Sequence, residues 1–85
     1  MRDADRLAAT LPPPGSGASF AIGMGAELAR IEPLTERAAW WLRRIVSDEA
    51  SWDGSAAVLD LSSFAAVAEA AKVAGFTFER DARSS

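Results

Sequence analysis

The sequence predicts a small all-α domain of two to three helices, preceded by an extended N-terminal arm rich in proline and glycine. Two segments place apolar residues at helical spacing, and the stretch "LPPPGSGAS" interrupts regular structure before them. With 85 residues, the chain is long enough for one small domain only. We divide it into an arm with a short helix and a linker (1–33), a helical domain (34–80) and a loose tail (81–85).

The composition favours a protein without catalytic chemistry. The chain has no cysteine and no histidine, so it lacks disulfides, thiolate ligands and the side chain that most often serves as a general base. We therefore expect no enzyme activity, no metal site and no cofactor. The net charge of −3 argues against nucleic acid as the main partner, because phosphate binding needs a basic surface.

The location predicted from the sequence is the cytoplasm. No apolar segment approaches the roughly 20 residues of a membrane span. The N-terminal "MRDADRLAAT" lacks the apolar core of a secretory signal. Neither observation bears on the oligomeric state.

The N-terminal arm is predicted to be largely irregular, with its prolines and glycines forming a linker at residues 12–19. Phe20, Ile22 and Met24 alternate as in a strand, but the neighbouring glycines weaken that pattern, and residues 26–31 suit a helical turn. Such an arm suits docking along a larger complex. We therefore predict that the three apolar side chains bind a partner.

The first helix of the domain is predicted within "PLTERAAWWLRRIVSDE" and begins near Pro33, a residue that suits a first helical turn. Residues at helical spacing define one buried stripe. The stripe comprises Leu34, Ala38, Trp41, Leu42, Ile45 and Val46.

Trp40 lies outside that stripe, on a flank with Arg37, Arg43 and Arg44. One interpretation is structural: the arginine stems half cover the indole, with a modest cation–π gain. The other is functional, since tryptophan and arginine are the residues most enriched at protein-binding hot spots. Both interpretations stay open, and we treat these four residues as candidate partner-binding residues.

Between the helices, residues 48–53 are predicted to form a further helical turn, followed by a chain reversal at Asp53–Ser55. The second helix is predicted from Ser62 to Ala74, with Ser62 or Ser63 as its N-cap. Gly75 is predicted to end it, with Phe76 folding back on the helix. The apolar face of this helix comprises Phe64, Val67, Ala68 and Ala71.

The stretches "AKVAGFTF" (71–78), "FAAVAEA" (64–70) and "WWLRRIVSD" (40–48) together resemble the Nif-eleven-like leader peptide family over roughly residues 34–80. The resemblance implies a bacterial helical leader that a modifying enzyme grips in natural product biosynthesis. The sequence departs from the family pattern at Ser51, where leucine is usual, and at Val73, where an acidic residue is common. No Gly-Gly cleavage site or core peptide follows the domain.

The flank and the resemblance together predict a non-catalytic protein-binding module. It is a small accessory subunit or a leader-like recognition domain, and its partner is a larger protein or a modifying enzyme. The alternative is that the chain is itself the precursor of a ribosomally synthesised, modified peptide. In that case Thr77, Ser84 and Ser85 are the hydroxyl residues available for modification.

Overall fold

The structure, a computed structural model that describes residues 11–47 and 50–81, has a mixed α/β fold. Five strands form one sheet and two helices pack against it, so the predicted all-α fold class and the description as a small helical protein are wrong. The predicted short helix before the linker falls outside the described residues except for Leu11. In chain order the elements are β1 (Phe20–Met24), β2 (Leu28–Pro33), α1 (Glu36–Ile45), β3 (Ser51–Asp53), β4 (Ala56–Asp60), α2 (Leu61–Val73) and β5 (Phe78–Arg80).

The strands are arranged in the order β3-β4-β2-β1-β5. The first four strands in this order pair antiparallel, and β5 pairs parallel with β1 at the edge opposite β3. The last strand of the described chain therefore lies beside the first. The sheet joins residues of the predicted arm (1–33) to residues of the predicted helical domain (34–80).

Alternate strand residues point towards the helices and form the core. Ile22 of β1 lies opposite Ile31 of β2, which in turn lies opposite Ala57 of β4, and all three are buried. Leu42 of α1 and Phe64 of α2 belong to the same buried cluster. Both helices therefore cover the same face of the sheet.

Residues 26–31, predicted as a helical turn, belong to the β1–β2 hairpin instead. Ala29 and Ile31 are buried, a two-residue period that fits a strand. At the turn, the Gly25 N–H donates to the Leu28 carbonyl at 2.8 Å, and a Cβ on Gly25 would lie 2.9 Å from that oxygen. Glycine at position 25 therefore permits the tight hairpin.

The predicted helical turn at residues 48–53 is also wrong where the structure describes it, because Ser51–Asp53 is strand β3. Residues 48 and 49 lie outside the described residues. A two-residue turn at Gly54 and Ser55 joins β3 to β4. The φ of Gly54 is +65°, the positive value that a type II′ hairpin turn requires at its first central residue.

Helix α1 begins after Thr35 and not near Pro33, which ends β2. Thr35 is the N-cap, and its side chain accepts a hydrogen bond from the Ala38 N–H at 3.1 Å. The later start leaves Leu34 outside the helix and 43% exposed, and Ile45 is 49% exposed, so the buried stripe is narrower than predicted. Its buried residues are Ala38, Leu42 and Val46, with Trp41 half-buried.

Helix α2 has Asp60 as its N-cap rather than Ser62 or Ser63. The Asp60 carboxylate accepts hydrogen bonds from the Ser63 hydroxyl at 2.6 Å and from the Ser63 N–H at 3.1 Å. These hydrogen bonds lower the pKa of Asp60 from its ordinary value of 3.8. The inner face of the helix contains the buried Phe64, Ala68 and Ala71, with Val67 half-buried.

A Schellman motif ends helix α2 at Gly75, whose φ is +92°. The Gly75 N–H donates to the Lys72 carbonyl at 3.0 Å, and the Phe76 N–H donates to the Ala71 carbonyl at 2.9 Å. The motif turns the chain back towards the sheet. Phe76 consequently packs against the core at the entrance to β5.

Gly75→Ala is expected to lower the free energy of unfolding by about 1–2 kcal/mol, because the left-handed conformation costs an L-residue roughly that amount. No atom lies within 4 Å of a Cβ built at this position, so the loss comes from backbone conformation and not from a clash. Urea denaturation measures the change. Gly75→Asn is the control and should lose less, since asparagine tolerates this conformation. An alanine variant as stable as the wild type would contradict this role of Gly75.

The Glu79 carboxylate ties the predicted linker, residues 12–19, to β5. The Gly15 N–H donates to one carboxylate oxygen at 2.6 Å, and the Ala18 N–H donates to the other at 3.1 Å. These two hydrogen bonds lower the pKa of Glu79 from its ordinary value of 4.5. The segment thus has no regular structure but follows a defined path along the sheet.

Acid is expected to destabilise the domain partly through Glu79. The pKa of Glu79 is lower in the folded protein than the ordinary value of 4.5 that it has in the unfolded chain. The ionised carboxylate therefore stabilises the fold above pH 4.5, and this stabilisation is lost as the pH falls from 4.5 through the folded pKa. Glu79→Gln should therefore melt at a lower temperature at neutral pH and respond less to acid. Thermal unfolding at a series of pH values tests this, with the exposed Glu69→Gln as control. Parallel losses in Glu79→Gln and wild type would contradict the prediction.

Candidate functional site

An open groove lies between helix α1 and the segment that follows α2, and we call it the Trp40 groove. Its volume is about 640 Å³. Trp41 and Phe76, both half-buried, form its inner wall with ring centroids 5.3 Å apart. The complete lining consists of Arg37, Trp40, Trp41, Arg44, Ile45, Ala74 and Phe76.

The inner wall of the groove rests directly on the core. The fully buried Phe20 lies edge-on to Trp41, with centroids 6.0 Å apart, and edge-on to Phe76 at 5.4 Å. The Arg37 guanidinium lies over the Phe76 ring, 5.6 Å from its centroid. These contacts hold the wall in place without a partner.

Trp40 projects from the groove into solvent with 74% of its surface exposed. The structural interpretation of the flank requires the arginine stems to cover about half of the indole. The exposure of Trp40 shows that they do not. Within the described residues, no ring or cation stacks on Trp40. The same indole borders a second depression of about 390 Å³, beside Ala39 and Arg43. A large apolar area is thus available for contact.

The surface around Trp40 is basic, although the whole chain carries a net charge of −3. In the part of the chain that the structure describes, no carboxylate forms an ion pair with Arg37, Arg43 or Arg44. The described ion pairs instead involve Arg30 of β2. Its partners are Glu32 at 2.7 Å, Asp53 at 3.0 Å and Asp81 at 3.2 Å.

Strand β1 contains the three residues of the N-terminal arm that were predicted to bind a partner, Phe20, Ile22 and Met24. Phe20 and Ile22 are 0% and 1% exposed, and Met24 is half-buried against the core. Because β1 lies between β2 and β5 beneath the helices, Phe20 and Ile22 have no free surface for a partner in this structure.

Sequence reasoning missed three residues of the groove. Helical spacing groups Trp41 and Ile45 with Leu42 and so predicts that they are buried. It predicts Ala74 only as the last residue of the second helix. The sheet beneath the helices brings the end of α2 close to α1. Because these segments are distant in sequence, no local sequence pattern predicts their contact. Phe76 was predicted to pack back on α2, and the structure places it in the groove wall as well.

Thr77, a candidate for modification in the precursor alternative, is exposed but belongs to the folded part of the chain. Its hydroxyl accepts a hydrogen bond from the Ser19 N–H at 3.3 Å, and its carbonyl accepts one from the Phe20 N–H at 3.1 Å. Strand β5 begins at the next residue. The other two candidates, Ser84 and Ser85, lie outside the described residues.

The lining of the groove combines charged hydrogen-bond donors with apolar side chains. Its charged lining residues are arginines, whose guanidinium groups donate hydrogen bonds and accept none. Its other large side chains are aromatic or aliphatic. Such a surface suits a ligand that combines apolar groups with anionic ones.

Comparison with protein-family models, curated proteins and solved structures finds no match to this chain. Residues 34–80 contain three strands, which differ from the helical leader that the family resemblance implies. Among the described residues, neither helix has the length and apolar character needed to cross a membrane.

Proposed function

We propose that this protein is a non-catalytic protein-binding module, a small accessory subunit that docks on a larger protein in the cytoplasm through the Trp40 groove. The observation that carries the proposal is the 74% exposure of Trp40 beside the half-buried rings of Trp41 and Phe76. A protein surface is able to cover this indole and match the flanking arginines at the same time.

Burial of Trp40 would supply a large part of the binding free energy. Full burial of a large apolar side chain contributes about 3 kcal/mol, and tryptophan and arginine are among the residues most enriched at hot spots. Arg37 and Arg44 lie on either side of Trp40 along α1. A partner would meet an apolar centre with a charged rim, which is the usual anatomy of a protein interface.

Helix α1 presents this surface in an ordered form. Ala38 and Leu42 are 0% exposed and fix the inner side of the helix against the sheet. Thr35 caps its first turn. Because the backbone is already ordered, docking would cost less conformational entropy than folding a disordered segment on binding.

Trp40→Ala is expected to weaken partner binding by about 30-fold or more, since truncation of a hot-spot residue costs about 2 kcal/mol or more. The measurement is affinity purification of the tagged chain from its native cells, with mass spectrometry of the co-purifying proteins and of the intact chain. The wild type should retain one larger protein in stoichiometric amount and have an unmodified mass.

Leu28→Ala is the matched control for this experiment. Leu28 is also exposed, at 52%, but it lies on β2 and does not line the groove, so its variant should retain the partner. Wild-type retention of the partner by both Trp40→Ala and Arg44→Ala would contradict the proposal. A mass shift in the C-terminal tail, with a modifying enzyme as the companion, would support the precursor alternative instead.

A further inference from the structure

We infer that the segment docked in the Trp40 groove is an acidic amphipathic helix of the partner protein. This inference rests on the proposed docking function and adds the chemistry and shape of what is bound. Three features support it: the charge around the groove, the spacing of the arginines along α1, and the state of the backbone in the groove walls.

The positive charge around the groove favours a partner that supplies carboxylates. Arg30, on the sheet, has three carboxylate partners, whereas Arg37, Arg43 and Arg44 have none among the described residues. Two of these guanidinium groups lie over aromatic rings, Arg37 over Phe76 and Arg43 over Trp52, contacts that leave their positive charge unneutralised. The three arginines near one exposed indole therefore form a local positive patch on an acidic chain. Arginine binds carboxylates in bidentate geometry, and complementary charge favours an acidic partner over a neutral or basic one.

The spacing of the arginines matches a helix. Arg37 and Arg44 are two turns apart on α1, which places them about 10 Å apart along the helix axis, with Trp40 between them. Carboxylates two turns apart on a second helix have the same separation. Apolar residues on that helix, between the carboxylates, would cover Trp40 and Ile45.

The walls of the groove are formed by helical segments and not by a free strand edge. One wall is α1, and the other is the end of α2, where the Ala74 N–H donates to Ala70 and the Phe76 N–H donates to Ala71. Nearby, on β5, the Arg80 N–H donates to the Pro12 carbonyl at 2.9 Å. A helix suits such a groove because it satisfies its own backbone hydrogen bonds and presents side chains to the walls.

Nucleic acid fits these observations less well than an acidic helix. Phosphates would pair with the arginines, but the net charge of −3 opposes a polyanion, and Ile45, which is 49% exposed, requires an apolar neighbour. An acidic amphipathic helix supplies both carboxylates and apolar side chains. A short single-stranded oligonucleotide therefore serves as a competing ligand in the test.

The test is selection from a displayed library of helix-forming peptides on the immobilised full chain, with counter-selection on Trp40→Ala. The peptides that depend on Trp40 should be enriched in Asp and Glu at two-turn spacing around apolar residues. Their binding should fall about 10-fold or more for Arg44→Glu and for the double variant Arg37→Glu/Arg44→Glu. The variant Arg37→Lys/Arg44→Lys keeps the positive charge but loses the bidentate geometry, so it should retain more binding than either glutamate variant. Binding should also weaken as salt is added.

Each other outcome overturns a defined part of the inference. Trp40-dependent peptides that are neutral or basic would overturn the acidic helix but leave the docking function intact. Acidic peptides that bind Arg44→Glu as well as wild type would do the same. Selection that yields no Trp40-dependent peptide would overturn the acidic helix, whereas the docking function is decided separately by partner retention in the Trp40→Ala affinity purification. Tighter binding of the oligonucleotide than of any selected peptide, lost in Arg44→Glu, would assign the surface to nucleic acid. Circular dichroism of every variant confirms that the fold is retained.

Discussion

Phe20→Ala is expected to leave most of the chain unfolded at room temperature. Phe20 is 0% exposed and contacts the rings of Trp41, Phe76 and Phe78, with centroids 5.4 to 6.0 Å away. Truncation of a buried phenylalanine costs about 3–5 kcal/mol. The total free energy of unfolding of a domain this small is also about 3–5 kcal/mol. Circular dichroism and urea denaturation measure the loss.

The matched control for Phe20→Ala is Val73→Ala, because Val73 is apolar but 83% exposed. Its free energy of unfolding should stay within about 0.5 kcal/mol of the wild type. A Phe20→Ala variant that unfolds at the wild-type urea concentration would show that Phe20 belongs to an exposed arm, as the sequence alone suggested, and not to the core.

Leu42→Ala is expected to have the second-largest effect, with a loss of about 2–5 kcal/mol in the free energy of unfolding. Leu42 is 0% exposed and anchors α1 to the sheet. Ile45 belongs to the same stripe by helical spacing, but it is 49% exposed. Ile45→Ala should therefore cost about 0.5 kcal/mol or less. Urea denaturation of the two variants provides the comparison.

The difference between these two variants is the informative quantity. Equal large losses would place Ile45 in the core and close the groove that it lines. Equal small losses would mean that α1 does not pack on the sheet through Leu42. Either result would contradict the position of α1, and with it the exposure of Trp40.

The helices were predictable because their signals are local. The apolar residues Phe64, Ala68 and Ala71 recur at helical spacing, and Gly75 supplies the left-handed residue that ends α2. The sequence predicts too early a start for α1 because Pro33 suits a first helical turn. In the structure Pro33 instead ends β2, beyond Ile31, the last residue of β2 that pairs with β4. Thr35, a strong N-cap residue, marks the observed start.

The sheet escaped prediction because its strands are short and two of its pairings, β2 with β4 and β1 with β5, join residues that are distant in sequence. Phe20 and Ile22 alternate as in a strand, yet only pairing with Ile31 on one side and Phe78 on the other shows that β1 is internal. Gly25 lowers the strand propensity of this segment and is also the residue that permits the hairpin. Strand propensity alone did not distinguish a strand from an irregular arm here, and pairing with distant residues determines that this segment is a strand.

The candidate site was predictable in part, because one of its two walls, helix α1, has a local sequence signal. Trp40 and its arginines lie off the buried stripe of α1, and that displacement is readable from helical periodicity. The opposite wall, formed by Phe76 and Ala74, requires knowledge of where α2 ends in space. The assignment of Phe20 and Ile22 to partner binding overlooked that a small domain needs its few large apolar residues for its core.

Photo-cross-linking at Trp40 in living cells is the most direct test of docking through the Trp40 groove. The variant Trp40→p-benzoylphenylalanine keeps a large aromatic ring at this position and reacts with whatever protein covers it. Leu28→p-benzoylphenylalanine is the control on an exposed surface outside the groove. We expect one dominant adduct with a larger protein from position 40 and none of that adduct from position 28. The same adducts from both positions, or no adduct from position 40, would contradict docking through the groove.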